Sequence, residues 1–112
     1  MQFSESLKKN HQFQFVFRNG KSYANKYLVM YVKENGLSGN RIGISVSKKV
    51  GNSVVRHRVT RLVRESYRLH ESIFNSGLDI VIVARPSAAT VGYYEVESAL
   101  LHLGKLHQII KY

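Results

Sequence analysis

The chain has 112 residues, 44% of them hydrophobic and only one of them proline, which suits a single domain with one modest core and leaves no low-complexity segment. Seventeen Lys and Arg against seven Asp and Glu give a formal net charge of +10, which disfavours basic ligands and points to polyanions, with nucleic acid and anionic membranes as the two obvious classes. Cysteine is absent, so disulfides and thiolate metal sites are excluded, in keeping with a reducing compartment.

The start, "MQFSESLKKN", lacks the apolar run of a signal peptide, and the longest apolar run, "YLVMYV" at 27 to 32, is far short of the ~20 residues that span a bilayer. A cytoplasmic protein with no membrane partner is expected. The first predicted element is a short helix over residues 10 to 19, "NHQFQFVFRN", capped by Asn10 and closed by Gly20 in a left-handed turn, with Phe13 and Phe17 on one face. A strand follows in the later part of "SYANKYLVMYVKENG", with Tyr27, Val29 and Tyr31 pointing one way and Leu28, Met30 and Val32 the other. After the turn "ENGLSGN", residues 41 to 47 alternate cleanly: Ile42, Ile44 and Val46 face a core, and Arg41, Gly43, Ser45 and Ser47 form a small polar face.

A loop at 51 to 53 leads into a helix predicted to run to about residue 69 or 70. "LDIVIVAR" at 78 to 85 reads as a mostly buried strand closed by Pro86, and apolar positions 96, 99, 100, 103, 106 and 110 predict a final amphipathic helix. The order is α-β-β-α-β-α. Because a helix joins the strand at 41 to 47 to that at 78 to 85, the two are expected to be parallel, in an α/β sandwich.

The middle helix carries the strongest functional signal. On a wheel of 100° per residue, His57, Arg61, Arg64 and Arg68 share one face with Arg56 and Arg58 flanking them, while Val55, Val59, Leu62, Ser66 and Leu69 form the opposite stripe. Solvated faces usually mix Glu with Lys, whereas this one is almost all Arg, whose planar guanidinium holds phosphate through two hydrogen bonds and stacks on bases. Just upstream, Lys48, Lys49, Gly51, Asn52 and Ser53 stand where backbone N–H groups at a helix N-terminus attract phosphate oxygens. Nucleic acid fits better than membrane, because a membrane-surface helix needs bulky apolar residues opposite its charge and this one has mostly valines.

At "RIGISVSKKVGNSVVRHRVTRLVRESYR" the chain resembles the protein subunit of bacterial ribonuclease P, and the likeness extends through "LKKNHQFQFVFRNGKSYAN" and "DIVIVARPSA". The resemblance implies an α+β two-layer sandwich with a mixed sheet of about four strands and an unusual left-handed crossover around the basic helix. It also implies a partner, the ribonuclease P RNA, which removes the 5′ leader of precursor tRNA by magnesium-dependent hydrolysis and holds most of the magnesium. By resemblance Lys48, Lys49, Gly51, Asn52, Arg56, Arg58, Arg61 and Arg64 become contacts to that RNA. His57 stands where the family usually has Asn; an imidazole also donates to phosphate or stacks, but a contact specific to an amide would be lost.

The same resemblance assigns a leader cleft to Phe13, Phe17 and Tyr31, with the small face of Gly43, Ser45 and Ser47 letting a single strand lie close to the sheet. Aromatic faces stack on bases without demanding a sequence. Taken alone, Phe13 and Phe17 also fit a core. Lys9, Arg18 and Lys26 are candidates for its edge. Two rivals stand beside this reading: a nuclease acting alone, for which the scattered histidines and acids offer no obvious catalytic cluster, and a structural RNA-binding protein of ribosomal type, which charge and size suit equally well.

Overall fold

The structure is a computed structural model in which residues 3 to 111 are described. Along the chain run β1 (Ser4–Ser6), α1 (Asn10–Asn19), β2 (Lys21–Ala24), β3 (Leu28–Glu34), β4 (Asn40–Ser45), α2 (Ser53–His70), β5 (Leu78–Ala84) and α3 (Tyr93–Leu106), with 3-10 turns at Glu71–Ile73 and Pro86–Thr90. The strands make one five-stranded mixed sheet in the order β1-β4-β5-β3-β2. β4 pairs in parallel with both β1 and β5, and β3 pairs antiparallel with β5 and β2. The parallel β4–β5 pair expected from the intervening helix is present. The six elements read from the sequence are joined by two unanticipated ones, β1 and β2.

β5 lies at the centre of the sheet and is almost wholly buried, which is why its sequence is a continuous apolar run. Its even residues, Ile80 and Ile82, join Met30 and Ile42 beneath α2 and α3, which contribute Val59, Val63, Tyr67, Val96, Leu100 and Leu103. This main core is the two-layer sandwich. The odd residues, Val81 and Val83, face the other way, where α1 sets Val16 beside Leu7, Phe13, Phe17 and Tyr31 as a smaller cluster. One sheet face is therefore fully covered, and the other is covered only where α1 lies.

Several local expectations are corrected. Lys9, not Asn10, occupies the cap position of α1, and the Gln12 side chain accepts hydrogen bonds from the Lys8 and Lys9 N–H groups (3.2 and 3.1 Å). Gly20 is extended (φ −84°) and is required for close approach instead: a β-carbon there would sit 2.6 Å from the Val16 carbonyl oxygen. The buried stripe of α2 is Val59, Val63, Ser66 and Tyr67, with Val55 and Leu62 half-buried and Leu69 exposed. Tyr67 turns the stripe, because its ring is fully buried against Phe74 while its hydroxyl meets Ser4 Oγ (2.8 Å) and accepts from Asn40 Nδ2 (3.3 Å). Burial holds that phenol above its ordinary pKa. Ile110 lies beyond the end of α3 and packs on Gly104. Among the described residues no helix is long and apolar enough to cross a membrane.

At one end of the α1 face, Arg41 donates two hydrogen bonds to the buried Asp79 (2.7 and 2.6 Å), and Asn35 Nδ2 adds a third (3.0 Å). The carboxylate in turn raises the pKa of Arg41. A buried charge so bonded is satisfied, which makes this pair a structural pin for β4, β5 and the β3–β4 turn.

Candidate nucleic-acid interface

The loop between β4 and α2 is shaped by its own small side chains. The Val50 N–H donates to the Ser47 carbonyl (3.1 Å), the Lys49 N–H donates to Ser47 Oγ (3.3 Å), and Val50 is buried, so Lys48 and Lys49 are left on the outside of a fixed turn. A β-carbon on Gly51 would approach Val55 to 2.9 Å, so glycine lets the chain pass close over the first turn of α2. Asn52 Oδ1 then accepts from the Val55 N–H (3.0 Å) as the helix cap. Ser53 is exposed at the first helical position, and the first turn carries no acid to complement the positive end of the helix dipole.

Along α2, His57, Arg58, Arg61, Arg64 and Arg68 lie on one side, as the wheel predicts, and Arg56 is half-buried. Their environments separate them. Arg58 donates to the carbonyls of Ala89 and Val91 (3.4 and 2.5 Å), tying α2 to the segment before α3. Arg68 makes a two-pronged pair with Glu65 (2.5 and 3.0 Å), which lowers the Glu65 pKa. Among the described residues, Arg61 and Arg64 have neither hydrogen bond nor ion pair within the chain, and Arg56 Nε is buried without a partner. Four arginines between positions 56 and 64 therefore face each other's charge with no internal anion, a repulsion that an external polyanion relieves.

The second surface follows from the register on the α1 face. Gly43, Val81 and Tyr31 lie side by side across β4, β5 and β3, and Ser45, Val83 and Val29 form the next row. α1 covers the first row: Phe13 rests on Gly43, and Phe17 meets Tyr31 edge to face with centroids 4.9 Å apart, 6.5 Å from Phe13. The second row is half-exposed. Beside α1, Phe13, Phe17 and Tyr31 border a half-buried strip of Ser45, Val83 and Val29, the trough, beyond which the chain runs from Ser45 to the exposed Ser47 and the basic loop. Phe13 and Phe17 are partly buried and packed on the small core cluster, as the core reading of them expects, and they also border this strip.

Gly43 departs from its expected role. It is buried beneath Phe13 and forms no open floor; its lack of a side chain admits the ring. Val29 and Val83 join the floor without having been expected there, although their parity with Tyr31 and Ser45 carries the signal. Lys9 and Arg18 are exposed at the two ends of α1, and Lys26 stands in the β2–β3 turn.

The ribonuclease P family model matches residues 1 to 107. A ribonuclease P protein component from Lachnoclostridium phytofermentans is 70% identical over 107 residues, covering 96% of this chain and 92% of the relative. One from Alkaliphilus metalliredigens is 53% identical over 110 residues, covering 98% and 99%. Among solved structures, the Staphylococcus aureus ribonuclease P protein superposes with a TM-score of 0.87 at 35% identity, covering 94% of this chain and 96% of that one. The Thermotoga maritima protein gives 0.82 at 32% identity, covering 90% and 96%. Shared sequence over nearly the whole length, and a shared fold beneath it, make this chain a member of the ribonuclease P protein family.

Proposed function

We propose that this chain is the RNA-binding subunit of ribonuclease P and takes part in tRNA 5′ maturation. α2 and the loop before it bind the catalytic RNA, and the trough beside α1 holds the 5′ leader of precursor tRNA. The observation that carries this reading is the pairing of two unlike surfaces: arginines without internal counter-charge on α2, and an aromatic trough that begins where the same basic loop ends. The first suits the phosphates of a folded RNA, and the second suits a single strand of any sequence.

Within the basic surface, Arg61 and Arg64 lead the phosphate contacts, with Lys48, Lys49, Ser53, Arg56 and His57 beside them. Gly51 and Asn52 shape the approach. Arg58 and Arg68 contribute with the guanidinium N–H groups that their internal partners leave over. In the trough, Phe17 and Tyr31 stack on bases, and Ser45 and Ser47 leave room for the backbone.

Among the described residues no group of three or more His, Asp and Glu comes together, and the buried Asp79 is already bonded to Arg41 and Asn35. In this reading magnesium, which supplies charge neutralisation and an activated water in phosphodiester hydrolysis, is held mainly by the RNA subunit. This chain binds and orients. Reconstitution tests the assignment. Added to a bacterial ribonuclease P RNA at low magnesium, the protein is expected to raise the rate of leader removal and to cleave nothing without the RNA. An unchanged rate, or cleavage by the protein alone, contradicts it.

A further inference from the structure

Beyond the row Ser45–Val83–Val29, the ladder between β3 and β5 continues one step, with the Arg85 N–H donating to the Tyr27 carbonyl (2.9 Å). There the chain bends at the β2–β3 turn, and Tyr27 packs toward the α3 side of the sheet. A shallow concavity of about 440 Å³ opens between this turn and α3, lined by Tyr27, Tyr94, Ala99 and His102 with Lys26 and Glu95. Tyr94 is 80% exposed, although it is held edge to face against Tyr93 with centroids 5.9 Å apart. A ring so exposed on an ordered helix contributes little to the core.

The polar groups of this concavity are fixed in orientation. Asn25 Oδ1 accepts from the Tyr27 and Leu28 N–H groups (3.3 and 3.0 Å), so the amide nitrogen Nδ2 is the atom that donates to the Ala99 carbonyl (2.9 Å). The same Nδ2 lies 3.1 Å from His102 Nδ1, which must accept; a neutral His102 ring then carries its proton on Nε2 and offers a donor. Glu95 offers an acceptor. Two aromatic side chains, a donor and an acceptor match a nucleobase, which presents a flat face and a mixed polar edge. At the rim, Arg85 is anchored by its bond to the Asn25 carbonyl (2.7 Å), and Lys26 Nζ lies 5.4 Å from the Tyr27 ring centroid, placing two cations where phosphates would pass.

We propose that this concavity seats an unpaired base of the single strand held by the trough, so that a longer leader passes over the end of the sheet and is gripped a second time between Tyr27 and Tyr94. The proposal rests on the leader reading above and extends it. RNA is favoured over a protein partner by the net charge of +10, the two rim cations, and the position of Tyr27 and Arg85 one ladder step beyond Val29 and Val83, round the end of the sheet.

The test uses the holoenzyme assembled with the RNA subunit and two precursor tRNAs, one with a leader short enough to end in the trough and one with a leader several nucleotides longer. Tyr94→Ala is expected to weaken binding of the long-leader precursor about tenfold, the loss of roughly one stacked base, and to leave the short-leader precursor unchanged. Phe17→Ala is expected to weaken both. Because Tyr94 is exposed, its variant should keep the unfolding midpoint of the parent, and Tyr94→Phe should restore long-leader binding. If Tyr94→Ala changes neither precursor while Phe17→Ala changes both, the second grip is overturned and the trough stands, leaving the patch to another partner. If Phe17→Ala also changes neither, the leader reading itself is overturned.

Discussion

A β-carbon on Gly43 would sit 2.6 Å from Cε1 and 2.7 Å from Cζ of Phe13. The glycine therefore sets the height of the Phe13 ring over the sheet, and with it the wall of the trough. Gly43→Ala is expected to force the ring outward and destabilise the protein by about 1–3 kcal/mol, as overpacking does, with a parallel loss of leader affinity. Urea unfolding of the variant measures the first, and an unchanged midpoint would mean that the ring moves aside freely. Alternation in "RIGISVS" makes Gly43 legible as part of a small face, but not what covers it, because Phe13 comes from a helix thirty positions earlier. The pin between Arg41 and Asp79 is hidden in the sequence for the same reason: the two are 38 positions apart and meet only through the β4–β5 register.

At the scale of elements, α2 joins the core to the basic surface. Its cationic face is readable because a helix of 18 residues repeats its spacing often enough to define a side. Its apolar stripe lies part of a turn away from the one that spacing predicts, because Tyr67, an amphipathic residue, is drawn inward by hydroxyl partners on β1 and β4. β1 and β2 are not legible at all. β1 has only three residues, all polar, and is held by backbone pairing, while β2 is an exposed edge strand. The internal partners found for Arg58 and Arg68 rank the arginines. Arg64→Ala is expected to reduce the log-log salt slope of assembly with the RNA subunit by about 0.7 to 0.9 for each phosphate left without its cation, and to keep the thermal stability of the parent. Titrating assembly against salt reads this directly, and an unchanged slope removes Arg64 from the interface.

At the scale of the whole molecule, the sheet divides two tasks. One face, sealed by α2 and α3, carries the main core, and the outer side of α2 carries the charge; the other face, half-covered by α1, keeps a trough open. Elements with strong periodicity and the basic helix are legible in sequence. The second packed face is not, since it depends on where α1 docks. Leader capture by the trough is tested most directly by comparing the affinities of the assembled holoenzyme for precursor and mature tRNA, with the parent protein and with Phe17→Ala. The expected result is tighter binding of the precursor by the parent, and in Phe17→Ala a loss of about tenfold for the precursor with mature tRNA unchanged. Equal affinities with the parent, or equal losses for both substrates in the variant, would contradict it.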